Sequence, residues 1–268
     1  MLSKPQLGVC TWTFGDLPLA QIARRVAALG FDGVELLGDL SLYTADEARE
    51  TLAGHGLEVF SITPANVDLA HPDEAVRQEG LDYYHKLLDF AAALNRPLVS
   101  VHGFVGRVRP VTNQQAEYDL LVESVRNIAS AAGERNLRLV FEVLNRYESH
   151  LINTAAEVCT FIGAVGSENL GILLDSYHMN IEEADPVGAI REAGERLWLY
   201  HIADSNRQAI GRGHIKFGDQ LWALESIGYE GPTIVEVTAP GPDPFVPIKD
   251  EQSLHWLETY LRESQSWF

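Results

Sequence analysis

The sequence predicts an α/β fold, a single (β/α)8 TIM barrel spanning residues 1–268, and three observations predict it. Short apolar runs alternate with longer amphipathic segments eight times over, with no linker, charge run or low-complexity stretch between them. Four of the later runs each close on a side chain that can bind a metal: LRLVFE on Glu142, LGILLD on Asp175, LWLYH on His201 and TIVE on Glu236. A chain of 268 residues also has the usual length of one such barrel. An open doubly wound sheet is the competing architecture, because periodicity does not show closure. No Gly-rich dinucleotide fingerprint or phosphate loop follows any strand, which disfavours it.

Taken in order, Leu7 to Trp12 reads as the first strand, after which Leu19, Ile22, Val26 and Leu29 recur at helical spacing until Gly30 stops the helix. Gly33 to Leu37 is the second strand, Thr44 to His55 a helix closing at Gly56, and Leu57 to Ile62 the third strand. Pro72 to Leu94 is a long helix with Pro72 in its first turn, where a missing N–H costs nothing. Pro97 to Val101 forms the fourth strand and leads into His102-Gly103, and a helix follows from about Asn113 to Arg135. Leu137 to Val143 is the fifth strand, with Glu142 where it should end. Helices near Thr154 to Val165, Pro186 to Glu195 and Gly218 to Ile227 separate the last strands, Leu170 to Leu174, Leu197 to Tyr200 and Thr233 to Val235. Pro247 to Ser264 holds a closing helix.

Composition narrows the function. The chain is 46% hydrophobic, ample for a sizeable core, and its formal net charge of −18 argues against nucleic acid or an anionic membrane surface as partner. Cys10 and Cys159 are the only cysteines and make no disulfide framework; two buried thiols in a reducing compartment are expected. No signal pattern opens the chain and no apolar run approaches the ~20 residues that span a bilayer, so a cytoplasmic protein is expected.

In a barrel of this kind the active site lies at the C-terminal ends of the strands. Glu142, Asp175, His201 and Glu236 map to that rim on four successive strands. A strand-end carboxylate is costly to desolvate unless paired. One such residue alone is ordinarily a satisfied rim side chain, but four in succession point to one shared divalent metal. Three carboxylates and an imidazole suit Mn²⁺, Mg²⁺ or Co²⁺ better than a thiolate-seeking ion.

FEVLNRYE, LLDSYHMNIEE, YHIADSNR and IVEV resemble the ketose 3-epimerases, the D-tagatose and D-psicose 3-epimerase group of the xylose-isomerase-like sugar isomerase and epimerase barrels. The likeness is strongest from about Val122 to Glu236, and the spacing of the four strand-end residues matches without insertion. The resemblance implies that Glu142 and Glu236 are both metal ligands and the acid/base pair, with Asp175 and His201 completing the metal shell. Inverting a carbon beside a carbonyl means removing its proton from one face and returning one to the other, work for two carboxylates. It further implies that His178 hydrogen-bonds the sugar near its carbonyl, that Arg207 contacts the carbonyl oxygen, and that Glu148 binds the terminal hydroxyl end. A packed histidine and a solvated arginine are the plain alternatives for the first two. Homodimers or homotetramers are also implied.

Other rim residues carry less. Trp12 and Phe14 close the first strand, where an aromatic ring could stack on a sugar face or pack in the core; His102 ends the fourth strand and is a candidate pocket residue. Glu35 ends the second strand with no role read from sequence, and Gly211-Arg212-Gly213-His214 is either a close backbone approach to a ligand or a turn. EVTAPGPDPF after the last glutamate departs from the family, as do Pro64 to Asp68 and Phe104 to Arg109, so the sugar stays open. No phosphate cradle sits on the rim and an unphosphorylated keto-sugar is preferred, though Arg107 and Arg109 leave a phosphate conceivable. Keto-glycoside epimerase, aldose–ketose isomerase and keto-inositol dehydratase use the same opening step. A metal-dependent nuclease would need more ligands and a basic face, and a scaffold barrel would not need the four-residue set.

Overall fold

The apolar runs form eight strands: β1 Leu7–Cys10, β2 Gly33–Leu37, β3 Glu58–Thr63, β4 Leu98–His102, β5 Leu139–Glu142, β6 Leu170–Asp175, β7 Leu197–Ile202 and β8 Thr233–Val235. In the computed structural model, which describes residues 5–241, 243, 245, 246, 248 and 250–268, they pair in parallel and in sequence order. β8 returns to β1 through Leu7–Thr233 and Val9–Val235, so the sheet closes and the open doubly wound alternative falls away.

Nine helices cover the barrel among the described residues: α1 Leu19–Leu29, α2 Ala45–Ala53, α3 Glu74–Ala93, α4 Gln114–Glu134, α5 Ala155–Val165, α6 Ser176–Glu182, α7 Pro186–Ala193, α8 Phe217–Ser226 and α9 Glu251–Gln265. Their ends follow local chemistry. Thr44 and Glu47 cap α2 reciprocally, Asn113 and Thr154 accept amide hydrogens at the starts of α4 and α5, and left-handed Gly30 and Gly166 close α1 and α5. None of the described helices is long and apolar enough to cross a membrane.

Several expected boundaries move. β1 stops at Cys10, because Thr13 Oγ1 donates to the Cys10 carbonyl (2.8 Å) and turns Thr11–Phe14 into a short 3₁₀ helix. Trp12 therefore rides on a turn, and Phe14 is 0% exposed in the core, unable to stack on a ligand. α3 begins at Glu74 with Asp73 as its cap, accepting from the Ala75 amide, so Pro72 precedes the helix. α7 gives way at Gly194 to a 3₁₀ turn, and α9 starts at Glu251; Pro247 lies outside the described residues. The additional helix α6 follows β6 without a loop, since Asp175 itself caps it (Oδ1 to the Tyr177 amide, 2.8 Å). Both thiols are free, but Cys159 is only half-buried.

Two apolar layers result. Val9, Val34, Val99, Phe141, Leu174 and Tyr200 face the helices, whereas Cys10, Phe60, Leu98, Val140, Leu173, Leu199 and Ile234 fill the barrel interior. Below them the register slips opposite Leu197–Leu199, leaving Trp198 as an extra residue packed under the interior layer. Gly171 makes room for it: a Cβ there would lie 2.3 Å from the indole. Gly171→Ala should therefore lower the urea unfolding free energy by about 1–3 kcal/mol, the cost of overpacking a core.

Candidate metal and active site

Strand alternation builds the site. Side chains two residues apart share a face, so Glu142 stands one layer above Val140, Asp175 above Leu173, His201 above Leu199 and Glu236 above Ile234. The apolar residues form a floor and the polar ones a mouth. Ligand atoms of Glu142, Asp175, His201 and Glu236 all lie within 4.8 Å of one another, and the four residues are at most 7% exposed.

The donor set fits a divalent cation. Asp175 is held by one oxygen, whose partner is the Tyr177 amide in the first turn of α6, while Oδ2 is fully buried and accepts no hydrogen bond among the described residues. An unpaired buried carboxylate oxygen is expensive unless a cation answers it. Burial pushes the Asp175 carboxyl up to about 6 in spite of Arg207 nearby. Burial likewise raises Glu142 well above the ordinary carboxylate range in spite of His201, and the charges of Glu236 and Glu35 add to the rise. Glu236 goes the other way: burial opposes ionisation, but Arg207 and His201 hold it well below that range. Burial alone would lower His201, yet Glu35 and Glu236 raise it.

A second set, Cys10, Glu35, His201 and Glu236, meets the same distance limit. Burial, reinforced by Glu35, drives the Cys10 thiol well up, and Sγ donates to Glu35 Oε1 (3.2 Å). A protonated thiol and an engaged carboxylate make the poorer site.

Around the four stand the other expected residues. His178 is 2% exposed, and its Nδ1 accepts from the Asn145 amide (3.3 Å) and lies 2.7 Å from Asn145 Nδ2. Its Nε2 lies 3.3 Å from Arg207 Nη2 and 3.6 Å from Asp175 Oδ2; burial, helped by Arg207, keeps the ring neutral. Asn145 Nδ2 also donates to Glu148 Oε1 (2.9 Å). Burial raises the Glu148 carboxyl. Arg207 Nη1 bonds Glu236 Oε2 and lies 3.4 Å from Asp175 Oδ2, and the guanidinium stacks 4.4 Å from the Tyr177 ring centre. The indole N–H of Trp12 donates from the ring edge to Glu236 Oε1 at 3.0 Å. His102 pairs in register with Glu142 and gives its Nδ1 hydrogen to the Gly103 carbonyl (2.7 Å).

Arg107, considered above as a phosphate ligand, turns away from the mouth into ion pairs with Asp68 (2.7 Å) and Glu117. Arg109 is exposed.

Two functional-site residues are missing from the sequence reading. Asn145 links His178 and Glu148, and only its place three residues past Glu142 hints at this. Asp204, 0% exposed, accepts through Oδ1 from the amides of Ser205 (2.7 Å) and Ile215 (3.2 Å), and through Oδ2 from those of Gly211 (2.9 Å) and Gly213 (2.8 Å). The Gly211–His214 loop is thus a backbone ring around a carboxylate, and a Cβ on Gly213 would fall 2.2 Å from Oδ1. The Asp204 carbonyl also accepts from the Arg207 amide (2.8 Å), and Arg207 adopts a left-handed φ of 59° that an L side chain tolerates only when its surroundings enforce it.

Comparison with known proteins agrees with this architecture. A family profile described as "Xylose isomerase-like TIM barrel" matches residues 23–267. The chain is 34% identical over 222 residues to a D-psicose 3-epimerase of Agrobacterium fabrum, covering 79% of this chain and 76% of that one. It is 29% identical over 245 residues to a 3-dehydro-D-guloside 4-epimerase of Escherichia coli, covering 88% and 92%. The crystal structure of D-psicose 3-epimerase with D-tagatose from Clostridium cellulolyticum H10 superposes with a TM-score of 0.86 at 27% identity, over 97% and 98% of the two chains.

The Asp204 ring yields a pH test. Burial disfavours the Asp204 anion, but the amides of Gly213, Ser205, Ile215 and Gly211 outweigh it and lower the folded-state value. Stability from a depressed carboxylate is present above the unfolded value of ~3.9 and is lost as pH falls through the lower folded value. Asp204→Asn should cost about 1–3 kcal/mol at neutral pH, and the gap to wild type in denaturant melts should close below about pH 4.

Proposed function

The chain belongs to the xylose isomerase-like TIM barrel family, and on that premise we propose that it is a divalent-metal-dependent epimerase of a free ketose or keto-sugar, with Glu142 and Glu236 as its acid/base pair. The observation that carries this reading is the convergence of four strand-end groups within 4.8 Å, one of them offering a buried oxygen that accepts no hydrogen bond among the described residues. Glu142, Asp175, His201 and Glu236 would hold the ion; Mn²⁺ is the first choice and Mg²⁺ or Co²⁺ the alternatives. A divalent ion bound there supplies electrostatic stabilisation for charge developing on the substrate carbonyl oxygen.

The chain's own groups do the rest. One glutamate takes the proton from the carbon beside the carbonyl and the other returns a proton to the opposite face, which inverts the centre. Their roles exchange in the reverse direction. His178 hydrogen-bonds the sugar near its carbonyl, and Arg207, fixed by the Asp204 ring, adds a charged donor beside Glu236. Glu148, on the loop that also carries Asn145, receives the far hydroxyl groups. Trp12 holds one oxygen of Glu236 in place, and His102 lines the wall by Glu142. The commitment of Arg107 to Asp68 and Glu117 favours an unphosphorylated substrate. The reading extends to a homodimer or homotetramer in the cytoplasm, supported by family resemblance alone.

A keto-glycoside is the second reading. The match to the 3-dehydro-D-guloside 4-epimerase extends over 92% of that protein, against 76% of the Agrobacterium D-psicose 3-epimerase. Both readings begin with the same proton removal.

Incubation of the Mn²⁺-loaded enzyme in D₂O with a panel of free ketoses and keto-glycosides should place deuterium on the carbon next to the carbonyl as the inverted epimer accumulates. No reaction with any panel member under Mn²⁺, Mg²⁺ or Co²⁺ would overturn the substrate class. Glu142→Gln and Glu236→Gln should each reduce turnover by more than about 10²-fold with the fold intact. Arg207→Ala should raise KM without weakening Mn²⁺ binding; a lost metal would move Arg207 from substrate contact to metal retention.

A further inference from the structure

Glu35 lies on β2, across the barrel interior from His201 on β7, and is 1% exposed. A carboxylate buried this far is penalised unless its lone pairs are met. All four are. Oε1 accepts from Cys10 Sγ (3.2 Å) and Thr63 Oγ1 (2.6 Å), and Oε2 accepts from Ser61 Oγ (2.7 Å) and His201 Nε2 (3.1 Å). An ionised carboxylate only accepts, so each of these partners must donate, and the His201 hydrogen on this side belongs to Nε2. The opposite nitrogen, Nδ1, faces the mouth, 3.3 Å from Glu236 Oε2 and 3.8 Å from Glu142 Oε1.

We propose that Glu35 is a positioning residue: through the Nε2 hydrogen it fixes the orientation and tautomer of His201, so that Nδ1 is the metal ligand and Glu35 itself is not. The inference rests on the metal-dependent reading given above. Cys10, Ser61 and Thr63 belong to the device, because they fill the remaining acceptor sites of Glu35 and leave it no freedom to turn into the mouth. Glutamine at this position keeps the shape but withdraws the charge that strengthens the imidazole as a ligand. With its NH₂ turned to the ring, it donates where it should accept.

Two measurements decide it. Calorimetric titration of the metal-stripped chain with Mn²⁺ should show Glu35→Gln binding about 10–100-fold more weakly than wild type, the usual effect of removing an outer partner of a metal-binding histidine. In wild-type protein labelled with ¹⁵N-histidine and loaded with Mg²⁺, the protonated nitrogen of His201 should be Nε2, which a merely space-filling Glu35 would not dictate. Unchanged Mn²⁺ affinity in a folded Glu35→Gln variant, or a hydrogen found on Nδ1, would overturn the assignment. If the variant fails to fold, the wild-type spectrum decides alone. Wild-type protein that binds neither Mn²⁺ nor Mg²⁺ would overturn the metal reading and this inference together, whereas equal binding by both proteins would remove only the role of Glu35.

Discussion

Buried negative charge is the constraint on which the mouth of this barrel depends. Glu35, Glu142, Asp175 and Glu236 are all within 7% of complete burial, and the cationic groups facing them are His201 and Arg207. Four acids against two cations leave an imbalance of two, which a low-dielectric interior does not tolerate as free charge. Divided among the carboxylates it explains their divergence, since Glu236, next to both cations, is held ionised while Glu142 is driven toward its neutral form. One divalent ion, with His201 neutral as its ligand, would offset most of the buried negative charge, which suits a doubly charged metal at this donor set. The apolar floor beneath keeps water from sharing the load.

Beside this centre the loops after β3, β4 and β5 are joined by hydrogen bonds and ion pairs. Asn66 and Val105 exchange two hydrogen bonds (both 2.9 Å), Arg107 joins Asp68 to Glu117, and His150 Nε2 closes on Glu117 at 2.9 Å. A single bridge pairs Arg107 with Ser149, and the Gly106 amide donates to the Glu148 carbonyl. The loops after β3, β4 and β5 are thereby fastened to one another, and Glu148 inherits its position from them. Asp68, Glu117 and Ser149 are buried and hold these segments together.

The strands and four site residues were legible because both leave a signal in one dimension. A parallel strand buried on two sides is an unbroken apolar run, and a carboxylate closing such a run stands out. Glu35 does not close its run but stands in the middle of β2, its partners come from β1, β3 and β7, and no spacing rule relates Glu35 to His201 at 166 residues' separation. Trp12 was misplaced because one hydroxyl, Thr13 Oγ1, ends β1 two residues early. α6 escaped the element list because the residue that ends β6 also begins it. Asp204 shows the remaining limit: its four amide donors lie one to eleven residues ahead in the chain, and no side-chain pattern marks a backbone ring.

The ancestry of labour inside the barrel has an architectural consequence. Every group that would touch the metal comes from the C-terminal ends of β5–β8, while Trp12, on the turn after β1, and Glu35, on β2, hold Glu236 and His201 in place. Cut between β4 and β5, the molecule would separate into one half rich in ligands and another half that aims them. Neither half is a site by itself, so closure of the sheet is as much a chemical requirement as a structural one. A half-barrel module carrying the complete ligand signature could be joined to a foreign partner and still lack function, for want of two side chains on the far side of the seam.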